Sequence, residues 1–267
     1  NAQGLVENVQ ILSSNLVQNG DFSEEGVQEV SNGSFSQEGV EVSSDVNFDN
    51  PSNWTLTGQS TVSNGVAHIL QDDTANTGVA ANTTITNKTY RITGVVSDYV
   101  SGSVGFSSIG STSPREAIPS QNGEFTIYYT STRSTPSAWN IQRISSPCNL
   151  KIDNVSVREV GQDWTFTNWS LTTGNVLLAD TSGYVYQSNV FEVGKAYKVS
   201  VNVKDYTSGD LRIDSNGSNN WTPSGSDSVA TIYISNLDKT YLLLEGTFRG
   251  SITNISVKEV GMDWVLN

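Results

Sequence analysis

Four stretches of this chain occur twice, in the same order. "NWTLTG" (Asn53–Gly58) returns as "NWSLTTG" (Asn168–Gly174), and "TYRITGVVSDYVSG" (Thr89–Gly102) as "AYKVSVNVKDYTSG" (Ala196–Gly209). "TIYYTS" from Thr126 returns as "TIYISN" from Thr231, and "IDNVSVREVGQDW" (Ile152–Trp164) as "ITNISVKEVGMDW" (Ile252–Trp264). The offsets are 115, 107, 105 and 100 residues, so loop insertions separate two copies of one unit. The fold must therefore be one that a segment of about 100 residues completes, and that can be set in tandem. The repeat divides the chain into a leading segment 1–14, a first unit 15–161, a second unit 162–261 and a remainder 262–267.

The repeated pieces read as strands. In "AYKVSVNVKDY" the apolar residues Tyr197, Val199, Val201 and Val203 alternate with Lys198, Ser200, Asn202 and Lys204. That is period two, with one face buried and one in water. Gly194-Lys195 in "FEVGKAYKV" reads as a hairpin turn. In the closing motif the apolar parity changes: Leu150 and Ile152 lie on one parity, Val155 and Val157 on the other, and Ile252 then Ile255 and Val257 repeat the change. A change of face within a strand requires an extra residue, which predicts a bulge or break at Asp153-Asn154 and at Thr253-Asn254. No long stretch has helical periodicity. The expected class is all-β, two tandem β-sandwiches. "GMDW" follows the second closing motif as "GQDW" follows the first, so residues 262–267 read as the start of a third repeat or as a strand exchanged with a neighbouring subunit.

The front of the first unit is multiplied. "NGDFSEEGVQEV" (Asn19–Val30) is followed at an offset of 13 by "NGSFSQEGVEV" (Asn32–Val42), and "VNFDNPSNW" (Val46–Trp54) is a weaker echo. These stretches are either strands that pair with other chains or an acidic arm. The regular placing of Phe22, Phe35 and Phe48 favours short ordered strands.

Composition excludes several functions. The chain has 14 basic and 27 acidic residues, a formal net charge of −13 and a pI of about 4.3. Nucleic acid binding needs lysine and arginine to displace counterions, and no basic run is present. No apolar stretch approaches the roughly 20 residues of a membrane helix. Cys148 has no second cysteine to pair with, and His68 in "GVAHILQ" is the single histidine; Cys148 reads as a small buried hydrophobe. The adjacent carboxylates Glu24-Glu25 and Asp72-Asp73 diverge in an extended chain, unlike a glycosidase pair. Nothing resembles a nucleophile elbow, a phosphate loop or a histidine metal cluster. The shared Asp98 and Asp205 of "DY(V/T)SG" read as ending a strand in a turn. The expectation is a protein that is not an enzyme.

"NLVQNGDFS", the following "NW" and "KIDNVSVREVG" resemble the start and end of jelly-roll carbohydrate-binding modules appended to xylanases and glucanases. The joint "IDNVSVREVGQDWTFTNWSL" resembles repeated modules in virion proteins of marine bacteriophages, fibre and surface proteins above all. The resemblance spans Asn15 to Gly261. It implies an extracellular or virion-surface structural protein, a fibre or decoration, that self-associates or meets other virion proteins and adheres to host surface polysaccharide. The alternative is the glycan-binding region of a secreted or cell-surface bacterial protein. The resemblance also implies a structural calcium in the first unit, on Asp21 and Asp153, with Thr253 replacing the aspartate in the second. Asp153 equally suits a turn cap at the bulge.

Sugar-binding modules stack aromatic rings on sugar faces. Trp54, Trp164, Trp169 and Trp264 stand in repeated positions and read as core. Trp139 in "STPSAWNIQ" and Trp221 in "SNGSNNWTPSGS" have no counterpart and lie in polar stretches, where binding residues concentrate. Trp221 with Asn219, Asn220 and Asp214, and Trp139 separately, are the candidate glycan contacts. Of the adjacent Tyr128 and Tyr129, one is expected to face inward.

Overall fold

The computed structural model describes residues 23–71, 76–214, 218–235 and 238–262. Their strands are β1 (Glu25–Gln28), β2 (Glu38–Glu41), β3 (Trp54–Thr57), β4 (Thr61–Ser63), β5 (Val66–Gln71), β6 (Gly78–Ile85), β7 (Thr89–Ser108), β8 (Glu116–Ala117), β9 (Gly123–Thr130) and β10 (Ser137–Val160). Then follow β11 (Thr165–Thr167), β12 (Ser170–Thr172), β13 (Val176–Ala179), β14 (Gly183–Gln187), β15 (Ala196–Ser208), β16 (Leu211–Asp214), β17 (Ser218–Trp221), β18 (Ser228–Ile234), β19 (Leu242–Gly246) and β20 (Arg249–Val260). Pro51–Asn53 is a short 3-10 turn capped by the Asn50 side chain.

The second unit is two sheets. One runs β12-β13-β20-β15-β18 and the other β11-β14-β19-β16-β17. The first unit repeats both layers, but its long strands β7 and β10 bend from one layer into the other. Thr89 to Val96 of β7 pair with β9, and Phe106 and Gly105 pair with β8. β10 pairs with β6 through Ser137 to Gln142 and with β5 through Cys148 to Ile152. At the corner Tyr99 Oη donates to the Gly102 carbonyl, and Tyr206 Oη to that of Gly209, both at 3.0 Å. Asp98 and Asp205 therefore do not end their strands in a turn. They take positive φ, 47° and 51°, inside β7 and β15, where the strand begins to change layer.

Two apolar cores follow from the alternation. One gathers Ile92, Trp139, Ile141, Ile152, Val155 and Val157; the other Val199, Val201, Ile213, Leu244, Ile255 and Val257. Burying one such aliphatic side chain contributes about 1.5–3 kcal/mol. The parity changes coincide with register shifts. Asp153 opposes Val95 while Ser156 opposes Thr93. Asn202 opposes Asn254 while Val203 opposes Ile252, leaving Thr253 as the extra residue. Gly194 turns the chain as expected, but only β15 on its far side is a strand.

The front of the chain corrects the division at residue 161. β1 pairs with β20, the closing strand of the second unit, and β2 with β10, the closing strand of the first. Each of the two 13-residue leads makes the same bonds. Glu29 N donates to the Val257 carbonyl and Val42 N to that of Val157, both at 2.9 Å. In return Ile255 N donates to the Gly33 carbonyl at 2.9 Å and Val155 N to that of Val46 at 2.8 Å. Phe35 and Phe48 both adopt the left-handed region, φ 56° and 54°, which an L-residue enters at a cost of about 1–2 kcal/mol. The conformation turns each ring into its core: Phe35 onto Trp164 at a centroid distance of 5.5 Å, Phe48 onto Trp54 at 4.3 Å. Trp54 therefore corresponds to Trp164, and not to Trp169 as the "NW" alignment suggested. Val30 and Phe35 belong to the second core, not the first.

Candidate functional site

On a strand whose neighbours alternate in and out, the outward residues of adjacent strands form rows across the sheet. In the second unit, Val185, Leu244, Leu211 and Ile213 point into the core. Tyr184, Glu245 and Arg212 therefore point away from it. Register pairs Thr167 with Tyr184, Tyr184 with Glu245, Glu245 with Arg212 and Arg212 with Asn220. This single row crosses five strands, a track of about 19 Å at ~4.8 Å per strand spacing. Arg212 forms an ion pair with Glu245. The row lies in an open cleft of about 570 Å³, closed at one side by Asn168 and Ser182. Asn168 Nδ2 is held by the Ser182 carbonyl at 3.1 Å, and Asp210 accepts from Thr222 at the opposite rim. One strand position further, Tyr186 stands 6.3 Å from Tyr184 and lines an adjoining groove of about 360 Å³.

Such a face offers what a polyhydroxylated ligand needs. It has half-buried aromatic rings, a charged donor and acceptor pair, and an exposed side-chain amide. Two carboxylates line it, and each has a partner: Glu245 pairs with Arg212, and Asp210 accepts from Thr222.

The corresponding face of the first unit is different. Counted from Gly102 as Arg212 is from Gly209, its row reads Thr57, Gly78, Gln142 and Gly105, with Thr55, Ala80, Asn140 and Ser107 in the row beside it. Ser107 Oγ donates to Asn140 Oδ1 at 2.7 Å, and both residues are buried. The row carries neither a ring nor an ion pair. Among the described residues, the aromatic and charged track is on the second unit.

Trp139 is not a surface contact. It is fully buried, stacks on Phe106 at 5.3 Å, meets Trp54 edge-on at 5.4 Å and donates Nε1–H to Thr83 Oγ1 at 3.1 Å. The polar neighbours that suggested a loop belong to β10 itself: Ser137 is its first residue, and Asn140 is buried against Ser107. Asn220 and Trp221 diverge as successive strand residues do: Asn220 joins the exposed row, while Trp221 packs against the second core. Trp221 is therefore half-buried at the end of an edge strand and turned away from the track. Asp214 and Asn219 belong to β16 and β17, and their side chains lie outside the described residues. Tyr184 and Tyr186 went unnoticed in the sequence; "GYVYQ" carries the signal, two rings at period two around a buried valine.

Asp21 lies outside the described residues, as do Asp72, Asp73 and Trp264. Beside Asp153 runs the lead 38–50, in which Asn47 stands at the position of Ser34 in 25–37 and of Asp21 upstream. Asp153 Oδ1 accepts from the neighbouring Asn154 N at 2.6 Å, at the bulge within β10. Asp45 of the lead accepts from Asp49 N, Asn50 N and Trp54 Nε1 at 2.9–3.1 Å. Among the described residues no three His, Cys, Asp or Glu side chains converge. Cys148 is buried beside the Ile69 carbonyl, and that burial pushes its thiol pKa up. His68 bonds Asn149 at 2.9 Å and not the cysteine. Tyr129 is buried, and Tyr128 faces outward onto the second unit, its hydroxyl 3.4 Å from Asn175 Oδ1. No described helix is long and apolar enough to cross a membrane.

No protein-family model and no curated protein matches the chain. Solved structures are similar to it at low identity. The N-terminal CBM22-1–CBM22-2 tandem domain of Paenibacillus barcinonensis Xyn10C is 10% identical over 84% of this chain and 98% of its own, with a TM-score of 0.36. A fucolectin from striped bass (Morone saxatilis) serum is 12% identical over 73% of this chain and 85% of its own, TM-score 0.25. A protein of the triple jelly-roll fold and turret assembly of an archaeal virus is 15% identical over 78% of this chain and 58% of its own, TM-score 0.29. The chain itself is all-β, a tandem of jelly-roll-like sandwiches.

Proposed function

We propose that this protein is a non-catalytic virion surface or fibre component that adheres to host surface polysaccharide through its second sandwich. The observation that carries the binding role is the Tyr184–Glu245–Arg212–Asn220 row, an open track on a rigid sheet. Tyrosine rings supply apolar faces for sugar rings; Arg212, Glu245 and Asn220 supply directional hydrogen bonds to hydroxyls. The virion setting rests on the resemblance of the joint at Ile152–Leu171 to phage modules, and the acidic surface suits a particle exposed to solvent. The first unit contributes a scaffold. The test is a glycan array with polysaccharide pull-down. Binding by the parent, lowered at least about tenfold by Tyr184→Ala or Arg212→Ala and kept by Asn140→Ala, is the expected result. Equal binding by all three variants, or none by the parent, overturns it.

A further inference from the structure

Each described lead is matched to one closing strand, and their order is inverted. The lead nearest the first unit, 38–50, completes β10 of that unit; the one upstream, 25–37, completes β20 of the second. Three features do the work in the upstream copy. Val30 and Phe35 fill the second core. The Gly33 carbonyl accepts from Ile255 N at 2.9 Å. The Asn32 carbonyl accepts from Trp164 Nε1 at 3.0 Å.

Residues 12–24, "LSSNLVQNGDFSE", align with 25–37, "EGVQEVSNGSFSQ", without a gap. Val17, Asn19, Gly20, Phe22 and Ser23 match Val30, Asn32, Gly33, Phe35 and Ser36. Asn15 keeps the side-chain amide of Gln28, the group that accepts from Val257 N at 2.7 Å. The core, carbonyl and amide positions of that lead are thus retained, while Leu12 stands in place of Glu25 and its lysine pairs; most of this segment lies outside the described residues. The edges of β10 and β20 that receive leads are both taken, by β2 and β1. We infer that residues 12–24 are a third lead, and that their partner is a further β-sandwich unit of this type. They complete its closing strand by main-chain pairing, and Phe22 fills its core. That unit's closing strand carries the pattern Ile-x-Asn-(Val/Ile)-Ser-Val-(Arg/Lys)-Glu-Val, shared by β10 and β20.

The competence of the third lead can be read in the chain itself. Deleting 25–37 joins Glu24 to Glu38 and brings residues 12–24 into the place of the second lead. Hydrogen exchange across Arg249–Val260 reports whether β20 is completed, and exchange across Lys151–Val160 shows that the first unit is intact. The expected result is near-parental protection of β20 in the deletion. Phe22→Ala then lowers it at least about tenfold in that background and leaves the parent unchanged. Two results overturn the inference: loss of protection to the level reached by deleting 12–37, or protection indifferent to Phe22→Ala.

Discussion

The amide of Val257 donates to the side-chain oxygen of Gln28 at 2.7 Å, across 229 residues of chain. Val157 and Glu41 make the same bond at 2.8 Å. A strand edge leaves its amides without partners, and here a side chain of the lead takes one beside each bulge. An amide replaces a carboxylate without loss because both offer the accepting oxygen.

Each lead is expected to govern only its own unit. Phe35→Ala should lower the stability of the second sandwich by about 3–5 kcal/mol and Phe48→Ala that of the first, the usual cost of emptying a buried aromatic site. Site-resolved exchange on β20 and β10 separates the two. Equal effects on both strands from either change would contradict the assignment.

Acid should release the first strand selectively. Hydrogen bonds from Lys198, then Lys258, hold the Glu25 carboxyl below its usual range. Its folded pKa lies below the unfolded one, so the charged form stabilises docking above about pH 4.3. That contribution is lost as pH falls through the lowered folded value. Glu25→Gln should remove this part of the acid dependence of β20 protection. An unchanged profile between neutral and strongly acid pH would refute it.

The two unmatched tryptophans should behave differently under substitution. Trp139→Ala empties the centre of the first core and should cost about 3–5 kcal/mol. Trp221→Ala removes a half-buried ring at a sheet edge and should cost about 1–2 kcal/mol. Neither ring lies on the tyrosine track, so glycan binding by the folded Trp221→Ala protein should match the parent. Chemical denaturation with a binding assay on the same samples decides both points.

The layer corner should reject any side chain. Gly209 has φ 81°, and a Cβ there would lie 2.0 Å from the Thr247 carbonyl oxygen; at Gly102 it would lie 2.4 Å from that of Pro147. Gly209→Ala should destabilise the second unit by more than about 2 kcal/mol. A melting temperature within a degree of the parent would show that the corner relaxes.

Much of the frame was legible in the sequence because it is local. The alternation in "AYKVSVNVKDY" and the parity change at Asp153-Asn154 and Thr253 are properties of single strands, and the structure repeats them. What strand a lead joins is not local. The choice of β20 for Glu25–Gln28 and β10 for Glu38–Glu41 depends on the bonds of Gln28, Gly33 and Phe35 with residues far along the chain. Trp139 misled because its neighbours Ser137 and Asn140 are polar, yet Asn140 is itself buried, its side-chain oxygen taken by Ser107. Tyr184 and Tyr186 escaped because each is ordinary alone. They become a track only when β11, β14, β19, β16 and β17 come into register.

The inverted order of the leads has a consequence for biosynthesis. A ribosome makes Gln28 long before Val257, and at 5–20 residues per second the 229 residues between them take roughly 10 to 50 s. The lead of the second unit emerges ahead of that of the first, yet its closing strand arrives last. During translation the first sandwich can close while the upstream lead still waits. Completion of the second sandwich is then the later event of the two, and it joins stretches of nascent chain made 229 residues apart.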